Sequence, residues 1–254
     1  MQRGPQLAFV VLLTLILCAA GGVTSPAAED DEIMVLCGTS FGPPTEKLIK
    51  MFKKETGMKA VISFGGSEDL LPQVKIGRVG DVFITHDPYM KYTEDEKAML
   101  RWIHVGHVAP ALVVRKGNPH KLKRFEDLTR PGLQVLLPNP DFSTCGEMVF
   151  GLMEKKGIKD AVLKNVGNAM FRSHADIGNK MKLGAGDAAI MWKGVAHNYR
   201  DAIDIVPCPY EYDEEIRVGV IGLSYTKNKA EVEKFLKFVD KHGKAVFKEF
   251  GYVK

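Results

Sequence analysis

Three short loops in this 254-residue chain combine glycine with hydroxyl side chains: Cys37–Gly38–Thr39–Ser40–Phe41–Gly42, Gly65–Gly66–Ser67, and Asp141–Phe142–Ser143–Thr144–Cys145–Gly146. Each follows a strand-like run and precedes a helix-like one. In an open α/β sheet, ligands bind beyond the carboxyl ends of the strands. A helix N-terminus there offers unpaired N–H groups and a partial positive charge, so it holds an anion without Lys or Arg. Glycine lets the backbone approach, and a serine hydroxyl adds a donor. The competing reading is structural, because Gly and Ser are also ordinary turn formers and caps. For one loop alone capping is the simpler reading; three such loops shift the balance toward an anion.

Two other chemistries are written in the same residues. Gly38–Thr39–Ser40–Phe41–Gly42 fits the G-x-S-x-G nucleophile elbow, which would make the chain a secreted serine esterase acting through Ser40. The motif follows the very first strand, however, where no upstream loop remains to complete an oxyanion hole. A metal-cation site could draw on Cys37, Cys145 and Glu68, with His86–Asp87, His104, His107 and His174 with Asp176 as further candidates. None of these histidines has the i, i+4 spacing of a zinc enzyme. The simpler reading of both cysteines is as small buried apolar residues. Of four cysteines, Cys18 falls in the leader, leaving Cys37, Cys145 and Cys208 without disulfide-framework or zinc spacing. One bridge among those three is allowed, with no pairing fixed.

The elements that must position the loops alternate. Strands are expected at Ile33–Cys37, Ala60–Phe64, Asp81–Thr85, Ala111–Val114, Gln134–Leu137, Ala188–Trp192, Ile203–Val206 and Val218–Leu223. Helices are expected at Pro44–Glu55, Glu68–Ile76, Thr144–Lys155, Lys159–Ala169 and Asp176–Leu183, with two more, Lys229–Lys241 and Ala245–Phe250, at the end. Leu48, Ile49, Met51 and Phe52 form one stripe, Pro44 suits a first turn and Gly57 stops the helix. Strand–helix–strand units imply parallel, three-layer α/β sheets. Two such series with helices left over suggest two lobes: 33–108 plus 224–254, and 109–223. Glu68 and Asp69 are expected to face solvent.

Arg3 precedes an apolar run of eleven residues, Leu7–Leu17, followed by Ala19, Ala20, Gly21 and Gly22. That is the layout of a signal peptide over residues 1–22, and it is short against the roughly 20 residues of a membrane span. Lipidation at Cys18 is the alternative, disfavoured by Leu17 where a small residue is wanted. The composition, 45% hydrophobic and 26% charged at a net charge of +4, is that of a folded domain. Lys53–Lys54 and Lys121–Lys123–Arg124 are short runs without interleaved aromatics, so nucleic acid is not an expected partner.

Several segments resemble the ModA family, the molybdate-binding proteins of ABC importers. They are Phe52–Lys53–Lys54–Glu55–Thr56–Gly57 leading to Phe64–Gly65–Gly66–Ser67, then Gly80–Asp81–Val82–Phe83–Ile84–Thr85, and Phe247–Lys248–Glu249–Phe250–Gly251–Tyr252. The resemblance covers nearly the whole chain after the leader. It implies a two-lobed type 2 periplasmic-binding-protein fold with a hinge, and a tetrahedral oxyanion, molybdate or tungstate, in the cleft. It also implies an exported monomer that serves a permease and an ATPase, without cofactor or catalysis. The family's two ligand serines fall on Ser40 and Ser67, and two backbone donors of the second lobe on Cys145 and Ile177. Trp192 stands where the family has a ligand tyrosine, and Cys145 where a small residue is usual.

Overall fold

The computed structural model describes residues 32–207 and 216–252. Residues 1–22, Cys18 and Cys208 therefore lie outside the described residues. Along the chain come β1 (Glu32–Gly38), α1 (Gly42–Thr56), β2 (Lys59–Gly65), α2 (Ser67–Pro72), β3 (Val82–His86), α3 (Tyr89–Asp95), β4 (Met99–Val108) and β5 (Pro110–Arg115). There follow β6 (Val135–Pro138), α4 (Thr144–Lys155), α5 (Lys159–Val166), β7 (Met170–Phe171), α6 (His174–Lys182), β8 (Ala188–Trp192) and α7 (Lys193–His197). The last elements are β9 (Ile203–Ile205), β10 (Ile216–Leu223) and α8 (Lys229–Glu249).

They build two five-stranded sheets, ordered β2-β1-β3-β10-β4 and β7-β6-β8-β5-β9. Strand β1 shows why the first is a middle layer. Ile33, Val35 and Cys37 enter one apolar core with Leu48, Phe52 and Phe235, while Leu36 faces a second core of Leu70, Val74 and Phe83. Side chains alternate across a strand, so a strand apolar at nearly every position must be covered on both faces. Helices α1 and α8 pack together and cover one face; α2 and α3 also pack together, against β1 and β3. The second sheet is flanked by α4 with α5 and by α6 with α7. The α/β, three-layer architecture expected from the sequence is the one observed.

Three expectations are corrected. The sheets are mixed, not parallel: β10 runs antiparallel to β3 and β4, and β5 antiparallel to β8 and β9. Strand β10 lies inside the first sheet, so the chain returns there before residue 224. The two terminal helices are one 21-residue helix, α8, continuous through Gly243. A Cβ at Gly243 would stand 2.8 Å from Val105 Cγ1, so this glycine brings α8 close to β4 and does not break it.

Candidate functional site

The loops after β1 and β2 meet. Thr39 Oγ1 donates to the Gly65 carbonyl at 3.0 Å. Residues Thr39–Phe41 form a single 3-10 turn into α1. Below it, Phe41 is buried against the rings of Tyr252 and Phe247, with centroids at 5.6 and 6.5 Å. The Tyr252 hydroxyl donates to the Ser40 carbonyl, and a Cβ at Gly194 would lie 2.5 Å from the Tyr252 ring. The C-terminal residues thus hold the Ser40 loop from beneath and touch α7 of the second sheet.

Ser67 opens α2 and is buried. Its Oγ accepts a hydrogen bond from Thr85 Oγ1 at 2.9 Å, so its own hydrogen is left for a further acceptor. Neither serine acts as a helix cap: the residues before α1 and α2 are Phe41 and Gly66, and no side chain caps either helix. Capping does hold for Ser143, which accepts from the Gly146 N–H at 3.4 Å, and for Ser173, which accepts from the Ala175 N–H at 3.2 Å.

Ser40, Ser67 and Trp192 line one cavity of about 450 Å³ between the two sheets. Thr39, His86, Ser143, Arg172, His174 and Tyr199 line it too. Cys145 and Ile177 do not; their side chains are buried in the core, and the wall is made by their neighbours Thr144 and Ala175. The Ile177 N–H is already given to the Ser173 carbonyl at 3.3 Å. Glu68 and Asp69 do not simply face solvent, because both line the cavity. The Glu68 carboxyl folds over Gly66, where a Cβ would be 2.3 Å from its Oε1, and burial raises its pKa. Asp69 reaches across to Arg172 at 3.1 Å.

The charged side chains of the lining are Arg172, Asp69 and Glu68. Arg172 is the one cationic side chain among the described lining residues, and it is engaged by Asp69 and stacked over Phe142 at 4.0 Å. Burial lowers the pKa of His86 from 6.5 to about 4, and that of His174 from 6.5 to about 3, His86 adding to the latter shift. Both rings are therefore neutral near pH 7. Trp192 contacts both rings, with centroids at 5.7 Å from His86 and 5.6 Å from His174.

The rival chemistries find little support in this geometry. Among the described residues no group of three His, Cys, Asp or Glu could hold a metal ion. Cys37 and Cys145 are free and buried away from the cavity. Burial pushes the Cys37 thiol up to about 12 and also raises that of Cys145, so neither is a ready thiolate ligand. Ser40 sits in a 3-10 turn and is not among the residues of positive φ, unlike the strained elbow of a serine hydrolase.

Residues 33–253 match the family of bacterial extracellular solute-binding proteins. The chain belongs to this family. As such it is a solute-binding protein and not an enzyme. The molybdate-binding protein ModA of Mycobacterium tuberculosis is 25% identical over 248 residues, which is 94% of this chain and 93% of that protein. The periplasmic molybdate-binding protein of Azotobacter vinelandii shares the fold at a TM-score of 0.71 and 21% identity, over 87% of this chain and 99% of that one. The sulfate-binding protein SubI of Mycobacterium tuberculosis does so at 0.67 and 18%, over 87% and 86%. Among the described residues no helix is long and apolar enough to cross a membrane.

The histidines were visible in the sequence only as metal candidates. The signal that places His86 was present, since it ends β3, beside β1, at the same carboxyl edge as the two serine loops. Arg172 and Tyr199 carried no comparable signal.

Proposed function

We propose that this solute-binding protein captures a tetrahedral oxyanion, molybdate or tungstate, in the cavity between its two sheets. Ser40 and Ser67 donate hydroxyl hydrogens from the first unit, residues 32–108 with 216–252. From the second unit, 110–207, Cys145 offers a first-turn N–H and Trp192 an indole N–H. Ile177, on α6, turns its side chain into the core and leaves the wall to Ala175. The observation that carries the reading is the convergence of two uncapping serines from neighbouring strand ends on a cavity without an unpaired cation. Neutral donors fixed in position can select by size, because a smaller ion leaves some of them unpaired.

On this reading the leader, Met1 to about Gly22, directs export, with a lipid on Cys18 as the tethered alternative. The monomeric, loaded protein delivers its anion to a permease driven by an ATPase. Calorimetric titration of ligand-free protein with molybdate, tungstate and sulfate tests it. One site per chain is expected for at least one of these ions, with the folded state stabilised by about 2.7 kcal/mol at 100 times the Kd. No heat and no rise in Tm with any of the three would refute it.

A further inference from the structure

The two imidazoles that contact Trp192 make demands that a bare dianion does not meet. His86 Nδ1 lies 2.6 Å from the Asp87 carbonyl oxygen. A carbonyl only accepts, so Nδ1 carries the hydrogen, and in the neutral ring Nε2 is a lone pair. The ring lines the cavity, and Nε2 is the ring nitrogen that Asp87 does not engage. A fully deprotonated oxyanion is also acceptor-only, and two acceptors face to face repel. The second ring is His174, only 7% exposed, whose Nδ1 is buried without a partner and whose Nε2 is 3.4 Å from Ser143 Oγ. Buried polar atoms without a partner are rare in folded proteins, and this one sits on a ring that lines the cavity.

We propose that the cleft takes up one proton together with its anion, and that the imidazole of His86, which shares Trp192 as a neighbour with His174, holds it. The inference rests on the oxyanion reading above. A proton on Nε2 turns the repulsive pair into a charge-assisted hydrogen bond. The nearby anion raises the proton affinity that burial had lowered. The surroundings leave the histidines as the proton acceptors. The Asp87 carboxylate is paired with Arg217 of β10, and Asp69 with Arg172. On α3, Tyr89 is held protonated by burial; on α4 and α6, Glu147 and Asp176 are not among the residues that line the cavity. Helix α7 presents Val195 to the cavity, and Asn198 and Tyr199 follow it. Glu68, half-buried on α2, is the one competing site and needs its own control.

Titration calorimetry of molybdate into the full mature chain, at pH 7.5 in buffers of low and high ionisation enthalpy, counts the protons. Between about half and one proton taken up per anion is expected, with affinity falling about three- to tenfold per pH unit above 7. His86→Gln should bring the uptake near zero and flatten the pH dependence, whereas Glu68→Gln should leave both in place. Tight binding by the parent protein with no proton uptake would overturn the inference and leave the oxyanion reading intact. Loss of the uptake in Glu68→Gln, or its persistence in His86→Gln, would overturn the assignment to histidine. Absence of binding by molybdate, tungstate and sulfate would overturn the oxyanion reading and the inference with it. If His86→Gln folds poorly, the slope measured on the parent protein decides.

Discussion

Ser67 accepts a hydrogen bond from Thr85 at 2.9 Å and thereby keeps its own hydrogen for another acceptor. Ser40 is held differently, through its carbonyl, by the hydroxyl of Tyr252. Both serines were legible in the sequence because glycine and serine at a strand–helix junction are a local pattern. His86 and His174 stood out only as metal candidates, because their character comes from burial against Trp192, which the second sheet supplies. That burial has a measurable consequence. The unfolded chain binds protons near pH 6.5 that the folded sites refuse until about pH 4 and about pH 3. The stability these rings contribute is therefore complete above pH 6.5 and is lost as pH falls from there toward 4 and below. Urea unfolding of the ligand-free protein from pH 7.5 down to 4.5 should show this decline, reduced in His174→Gln. A profile that is flat, or unchanged by that substitution, would contradict the assigned burial.

At the scale of elements, strands such as β8 and helices such as α4 have the bounds their apolar patterns give. The misreadings come from residues whose meaning depends on a neighbour. Gly243 has the sequence appearance of a helix break, yet it lies inside α8 where Val105 of β4 leaves no room for a side chain. Strand β4 hides behind Arg101, His104 and His107, polar residues interleaved with Ile103 and Val105. The direction of β10 depends on which strands it inserts between, and local pattern does not encode that. Gly243→Ala separates the two views of α8. Helix propensity alone would stabilise the variant by roughly 0.5–1 kcal/mol, whereas overpacking typically costs about 1–3 kcal/mol. A lower Tm is expected, and a higher one would mean that α8 does not sit this close to β4.

At the scale of the molecule, the two sheets contact each other through few polar groups across the cavity. Arg172 to Asp69 is one of them, with both side chains more than half exposed at 55% and 56%. Exposed pairs are worth about 0–1 kcal/mol. If this one favours the approach of the two units, Arg172→Gln should weaken oxyanion binding by no more than about fivefold, and high salt should weaken the parent similarly. A loss of a hundredfold would instead mark Arg172 as a direct ligand group.

The central claim, that two hydroxyls from adjacent strand ends hold one anion, is tested most directly by Ser40→Ala and Ser67→Ala. Titration calorimetry on each, with whichever oxyanion the parent binds, should show affinity reduced about tenfold to a hundredfold, the worth of one charge-assisted bond of roughly 1.5–3 kcal/mol. Both variants should remain folded in thermal melts, because neither serine caps a helix. If both bind the anion as the parent does, the site is not the one described.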